Sequence, residues 1–267
     1  MSDFYIGYLP KAPPALARFL RRLVFGLFLL TATIALALVL TQHPFARSFF
    51  EYGTVRSFEG VVAMQPYPVL LVTRPGQTSP ENQYSRYLLA APGKHGADDL
   101  IHAFQDKRVR LDGQLVYRDG RLMAGGPMIE IVPGSIAVLP DAPASPQVSR
   151  DLGPVTAIGE IVDSKCYLGV MNPARGKVHR DCAARCLSGG IPPIFVARRM
   201  ESTGAAPHTN VRNGTQFLLV GPDGAALGSD VLREFVAEPI TVQAELLERG
   251  DYQFLQIDPS KLRHGSD

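Results

Sequence analysis

The chain has 267 residues, with 27 Lys and Arg against 25 Asp and Glu, and a formal net charge of +2. This length suffices for one large domain or two small ones. Because the charge is nearly balanced and no basic patch is interleaved with aromatic residues, the sequence argues against nucleic-acid binding.

The first predicted element is a membrane-spanning helix. Residues 23–40 read LVFGLFLLTATIALALVL and carry no charge. With their apolar neighbours they reach the roughly 20 residues that a bilayer core requires. A cleaved signal peptide is the alternative, but its apolar core is usually shorter, and no small-x-small cleavage site follows this run. We therefore predict a cytoplasmic arm over residues 1–18 and an uncleaved transmembrane helix over residues 19–42.

The charges before this helix predict its orientation. Lys11, Arg18, Arg21 and Arg22 precede the apolar run, against one acidic residue, Asp3. The positive-inside rule places such an arm in the cytoplasm and the rest of the chain across the membrane. For a bacterium with two membranes, this predicts a single-pass inner-membrane protein with a periplasmic C-terminal part.

An internal repeat follows the membrane segment. The stretch that begins YLLAAPG at Tyr87 matches the stretch that begins FLLVGPDG at Phe217, and the sequence around Gly60 matches the sequence around Gly159. Each copy has the pattern of three strands, a short helix and two further strands. That is the order of elements in a five-stranded OB barrel.

The predicted fold class is therefore mainly β, with an N-terminal transmembrane helix followed by two tandem OB-like barrels. We expect the first barrel over residues 55–135 and the second over residues 155–260, each with one short helix. Residues 136–154 contain a stretch rich in Pro, Ser and Asp that is typical of a linker.

The second copy carries an insertion. Its matched positions, Gly159 and Phe217, lie much farther apart than Gly60 and Tyr87 in the first copy. All three cysteines of the chain and His179 fall in or beside this insertion. Because the first copy builds the same barrel without them, the insertion is the strongest sequence indication of a functional site.

Three of these residues share a predicted helix. The segment HRDCAARC contains good helix formers and is followed by LSGGIPP, which ends a helix. Within it His179, Cys182 and Cys186 have the spacing i, i+3, i+7, which places them on one helix face. Cys166 ends the preceding strand, and the loop after it is long enough to fold Cys166 over that face.

The residues leave three chemical interpretations open. In an oxidising compartment Cys166 would form a structural disulfide with Cys182 or Cys186. Alternatively, Cys166, His179, Cys182 and Cys186 form a four-ligand set for zinc, copper or an iron–sulfur cluster. A third interpretation is thiol catalysis assisted by His179, although the chain has no CxxC motif.

Three further residues are candidates for supporting this site. Asp163 is placed to orient a ligand, although an Asp that caps a turn is the more ordinary interpretation. Met171 offers a thioether that suits copper. Tyr167 and Tyr67 occupy matching positions in the repeat, where we expect packing across the barrel mouth.

The insertion also resembles a known pattern. The residues read G-x-x-V-D-x-x-C-Y and then H-x-x-C-A-x-x-C-x-x-G-G-x-P, which is similar to the motif of bacterial membrane-anchored exported OB-like proteins. The matching positions are Asp163, Cys166, Tyr167, His179, Cys182, Cys186, Gly189, Gly190 and Pro192. The resemblance implies export and an OB-like barrel for the second copy, and it implies no activity. The first copy departs from the pattern because it lacks Cys and HxxC.

From the sequence we expect a non-enzymatic, membrane-anchored periplasmic binding or accessory protein. Its Cys/His site would serve a membrane redox complex or metal and cofactor handling, together with a membrane or periplasmic protein partner. One alternative is an electron-transfer component with an iron–sulfur or copper centre in the second barrel. Another is a purely structural scaffold.

Overall fold

The computed structural model describes residues 13–41, 48–77, 83–118, 126–140, 149–202 and 213–265. Sequence predictions for the other residues, including most of the cytoplasmic arm and part of the linker, lie outside the described residues. The chain divides into two compact units, Met1–Phe45 and Ala46–Asp267.

A single long helix, α1, occupies Pro14–Thr41 in the first unit. It begins before the predicted residue 19, and its most apolar window has a mean hydropathy of 2.7 with no buried residue. Its threonine hydroxyls donate to the carbonyl four residues earlier, as Thr31 does to Leu27 at 2.9 Å. Such bonds leave no unpaired hydroxyl on an apolar helix. The helix is long and apolar enough for a membrane anchor or a signal sequence.

The first sheet of the second unit closes into a five-stranded barrel. The strands are β1 (Ser48–Phe50), β2 (Arg56–Ala63), β3 (Val69–Thr73), β4 (Tyr84–Ala90), β5 (Arg108–Arg118), β6 (Met128–Ile131) and β7 (Ala137–Val138). The barrel strands pair in the order β2–β3–β4–β6–β5, and β5 pairs again with β2 to close the ring. All of these pairs are antiparallel except β4 with β6. A short helix, α2 (Asp98–Ile101), lies between β4 and β5.

The second sheet is barrel-like and repeats this pairing. Its strands are β8 (Ser149–Asp163), β9 (Pro193–Ser202), β10 (Thr215–Val220), β11 (Ile240–Arg249), β12 (Tyr252–Ile257) and β13 (Arg263–His264). They pair in the order β8–β9–β10–β12–β11, β11 pairs with β8, and only β10 and β12 are parallel. The described residues of the second copy include the helices α3 (Arg180–Ser188) and α4 (Ser229–Leu232).

Two glycines show why the copies match in sequence. A Cβ on Gly60 would lie 2.5 Å from the Leu71 carbonyl oxygen, and a Cβ on Gly159 would lie 2.2 Å from the Val196 carbonyl oxygen. In each copy the first strand therefore needs a residue without a side chain where the second strand crosses it closely. The matching positions in the sequence are matching positions in the fold.

The hydrophobic core is shared between the two sheets. One core cluster contains Leu88 and Met128 of the first sheet together with Phe217 and Leu255 of the second. A smaller cluster, which includes Ile101 of α2, belongs to the first barrel alone. Since both sheets belong to one compact unit, a division into two tandem domains is not confirmed, and the domain boundaries remain predictions.

Candidate metal centre

The insertion connects β8 to β9. Residues 164–192 separate these two strands, whereas residues 64–68 separate β2 from β3. The inserted segment forms a π-helical turn at Cys166–Val170, a 3-10 turn at Lys177–His179 and helix α3. The helix predicted from HRDCAARC is therefore present, with His179 as its N-cap.

Asp163 brings the first cysteine back over α3. It is the last residue of β8, and its Oδ1 accepts a hydrogen bond from the Cys166 backbone N–H at 2.8 Å. The chain then turns at once into the π-helical turn. As a result the Cys166 sulfur lies 3.9 Å from the sulfur of Cys182 and 3.9 Å from that of Cys186. The three thiols are free, because a disulfide requires sulfurs about 2.05 Å apart.

His179 is held by the same aspartate. Its Nε2 lies 2.9 Å from the Asp163 Oδ2, and both side chains are fully buried. Because a carboxylate only accepts hydrogen bonds, a neutral ring carries its proton on Nε2 and keeps a lone pair on Nδ1. Nδ1 is buried and has no hydrogen-bond partner among the described residues. Asp163 therefore holds both the backbone of Cys166 and the ring of His179.

A lysine from the first barrel completes the cluster. Lys94 follows β4, and its Nζ lies 2.7 Å from the Cys182 sulfur and 3.8 Å from the Cys186 sulfur. The hydrogen bond to Cys182 raises the pKa of Lys94. Sequence reasoning missed this residue because no spacing rule connects it to cysteines in the other copy.

The glycines that end α3 hold the loop that carries Lys94. The Gly96 backbone N–H donates to the Gly189 carbonyl oxygen at 2.8 Å. A Cβ on Gly189 would lie only 1.9 Å from the Lys94 carbonyl oxygen. Gly190 has a φ of +90°, which favours glycine. The Gly-Gly pair therefore both ends the helix and admits the loop of the first barrel.

Lys165 also holds the loop that carries Lys94. Its ammonium group donates to the carbonyl oxygens of Ala91 and Gly93 at 2.7 Å each. It also forms a buried ion pair with Glu130 of β6. The residue beside Cys166 in the sequence thus fixes the distance between the two copies at the site.

Cys166 and Cys186 form a hydrogen bond between their sulfurs. The hydrogen bond between Cys166 and Cys186 lowers the pKa of Cys186. The same bond, together with burial, raises the pKa of Cys166. Cys186 should therefore lose its proton before Cys166 does.

The remaining two candidates have different surroundings. The Met171 sulfur lies 3.6 Å from the Cys182 sulfur, so its thioether borders the cluster. The Tyr167 hydroxyl instead donates to the Gly214 carbonyl oxygen at 3.0 Å, and the Arg118 guanidinium stacks 4.1 Å from its ring centroid. Tyr167 is therefore buried next to Cys166 in the sequence, and its side chain contacts Gly214 and Arg118.

The donor set fits a soft metal ion. Two overlapping groups, each with ligand atoms within 4.8 Å of one another, are Cys166–His179–Cys182 and Asp163–Cys166–Cys186. With metal–sulfur bonds of about 2.3 Å, two sulfurs on one tetrahedral ion lie about 3.8 Å apart. The observed separations of 3.9 Å from Cys166 agree with this value.

The geometry of the cluster suits several kinds of metal centre. No family model matches the chain, and no curated protein matches it.

Proposed function

We propose that this protein is a non-enzymatic, membrane-anchored accessory protein whose second barrel binds one soft metal ion, Cu(I) or Zn(II). The ligands are the sulfurs of Cys166, Cys182 and Cys186 and the Nδ1 of His179. The observation that carries the proposal is the spacing of the sulfurs, 3.9 Å from Cys166 to each of the other two, beside a buried imidazole oriented by a carboxylate.

The buried dyad supports metal binding over a purely structural role. Histidines that bind metals usually donate their other ring N–H to a carboxylate or carbonyl oxygen. Here Asp163 accepts from Nε2, while the buried Nδ1 has no partner among the described side chains. A buried nitrogen without a hydrogen bond is costly, and a bound ion would remove that cost.

We also propose the architecture and location in which the site operates. The shared strand order of the two sheets, including the single parallel pair in each ring, supports two tandem OB-like barrels. The basic residues on the N-terminal side of the apolar run support an inner-membrane anchor with both barrels in the periplasm. The resemblance to bacterial exported OB-like proteins supports the same location. In that setting the site would serve metal handling or a membrane redox complex through a protein partner.

The proposal is tested by metal titration of the full chain in detergent. After reduction and removal of metals, Zn(II) and Cu(I) are added separately, and the bound ion is counted by native mass spectrometry. We expect one ion per chain. Cys182→Ser should abolish this binding, whereas His102→Gln, an exposed histidine of the first barrel, should leave it unchanged. Binding of neither ion by the wild type, or full affinity in Cys182→Ser, would contradict the proposal.

Asp163→Asn tests how the imidazole is oriented. The asparagine keeps an oxygen for the Cys166 N–H but presents its NH₂ group to Nε2. The ring would then have to accept at Nε2 and carry its proton on Nδ1, which removes the ligand lone pair. We expect the affinity for the ion to fall about 10- to 100-fold, with the Zn(II) and Cu(I) titrations as the measurement.

The same preparation distinguishes the alternatives. An iron–sulfur or Cu(II) centre absorbs visible light, and a coloured protein with a reversible reduction potential would favour an electron-transfer component. A mass lower by two hydrogens in protein isolated without reductant would show a disulfide between Cys166 and Cys182 or Cys186. That result, combined with no metal binding, would favour the structural scaffold.

A further inference from the structure

The candidate ligands differ in how far they are open to solvent. Cys166 and Cys186 are 4% and 1% exposed, and His179 is 1% exposed. Cys182 is the exception, with intermediate exposure. A ligand of another molecule that reaches the proposed ion must therefore approach on the side of Cys182.

Two side chains border that open side. The Met171 sulfur lies 3.6 Å from the Cys182 sulfur, and Met171 is 43% exposed. The Lys94 ammonium lies on the same sulfur at 2.7 Å. An exposed methionine that contacts the most accessible thiol of the cluster places a thioether where an incoming ion first meets the protein.

The placement of this thioether distinguishes between the two soft ions. Zinc sites are built from Cys, His, Asp and Glu. Thioethers, in contrast, are ligands for Cu(I). Val170, the residue before Met171, is 41% exposed, so two consecutive apolar residues are open to solvent at this place.

We propose that Cys182 and Met171 form an exchange edge, where Cu(I) enters and leaves the site by ligand exchange with the sulfur ligands of a partner protein. This inference rests on the proposed function and specifies its cargo. When the ion enters, a bond from a partner sulfur to the ion breaks as a bond to Cys182 or Met171 forms, and when the ion leaves the reverse exchange takes place. A proton displaced from a thiol goes to water, and the copper remains monovalent, so no electron donor or acceptor is required.

The exchange edge is tested by transfer kinetics with the full chain in detergent. Cu(I) is supplied as its bicinchoninate complex, and the loss of the colour of that complex gives the rate of transfer to the protein. Excess bicinchoninate then gives the rate of the reverse transfer. Met171→Leu removes the thioether at nearly constant volume. Met64→Leu, which makes the same change at a partly buried position of the first barrel, is the matched control.

We expect Met171→Leu to slow transfer about tenfold in both directions, a size typical of losing one ligand-supporting group. The equilibrium constant should change much less, because the buried ligands remain. Met64→Leu should behave as the wild type. In the metal-free protein, Cys182 should also be the first of the three thiols that iodoacetamide modifies, as peptide mass mapping would show.

Three other outcomes would overturn the inference. If Met171→Leu transfers Cu(I) as fast as Met64→Leu, the exchange edge is wrong but the metal site stands. If the wild type binds Zn(II) and takes no Cu(I) from bicinchoninate, the cargo is wrong and the proposed function stands in its zinc form. If the wild type binds neither ion, both proposals fail.

Discussion

The ammonium group of Lys94 contacts the Cys182 sulfur although the two residues belong to different copies of the repeat. Three thiolates and a neutral imidazole would keep a net negative charge even with Cu(I) or Zn(II) bound. A cation from the first barrel would offset part of that charge on the solvent-exposed side of the cluster. The first barrel therefore contributes a positive charge to the candidate site.

Gly189 allows this contact because it has no side chain. Gly189→Ala would place a Cβ 1.9 Å from the backbone oxygen of Lys94, and a backbone atom cannot move aside as a flexible side chain can. We expect a loss of about 1–3 kcal/mol in the free energy of unfolding, as for other overpacked sites, measured by urea denaturation.

Gly265→Ala is the control for this substitution. Its nearest atoms would be 3.5 Å from the new Cβ, which is an ordinary contact. We expect a change within about 0.5 kcal/mol. If Gly189→Ala is as stable as Gly265→Ala, the loop of Lys94 does not approach α3 as closely as described.

At the scale of elements, Lys165 joins the end of β8 to the first barrel. Lys165→Met would leave the Glu130 carboxylate buried without its cation and two carbonyl oxygens without their donor. Removing one partner of a buried ion pair typically costs about 3–5 kcal/mol, and we expect a loss of this size in urea denaturation. Adding Glu130→Gln to the same chain should restore part of the loss.

An exposed ion pair provides the comparison. Arg150 pairs with Glu248 at 2.6 Å, but the Arg150 side chain is 59% exposed. Arg150→Met should therefore cost less than about 1 kcal/mol. Equal losses for Arg150→Met and Lys165→Met would mean that the Lys165 contact between the copies adds nothing beyond a surface pair.

The inserted segment between β8 and β9 shows which parts of the site could be predicted from the sequence. The spacing of His179, Cys182 and Cys186 predicted a shared helix face, because helical periodicity depends only on local sequence. The repeat likewise located the insertion. The position of Cys166 over that face also depended on a π-helical turn, for which the sequence offers no comparable periodic signal.

Contacts between distant segments were beyond sequence reasoning. Lys94 and Lys165 could not be singled out, because nothing local separates a lysine that contacts a thiol or a buried carboxylate from a solvated one. Tyr67 was expected to pack across a barrel mouth. Its hydroxyl donates to the Leu219 carbonyl oxygen of β10 and accepts from the Leu227 N–H between β10 and α4, contacts that only the arrangement of the two copies determines.

At the scale of the molecule, the shared core makes the two barrels one cooperative unit. Core residues of both sheets belong to one cluster, so unfolding either barrel would expose apolar surface of the other. We expect Ala46–Asp267 in the full chain to unfold in a single urea transition that tyrosine fluorescence and far-UV circular dichroism report identically.

The substitution at Lys165 provides a check on this cooperativity. In a single unit, Lys165→Met should shift the whole transition to lower urea without splitting it. Two separate transitions, of which the substitution moves only one, would show that the barrels are independent domains and that their common core contributes little to stability.

Because both copies of the repeat contribute to one site, the site is completed late during synthesis of the chain. A chain made from its N-terminus acquires Lys94 early and the three thiols much later, while β11, β12 and β13, which complete the second sheet, are made last. A half-made chain thus carries thiols that have no finished sheet around them. The complete site is therefore a late product of folding, and an ion that arrives earlier would be held by fewer donors and released more readily.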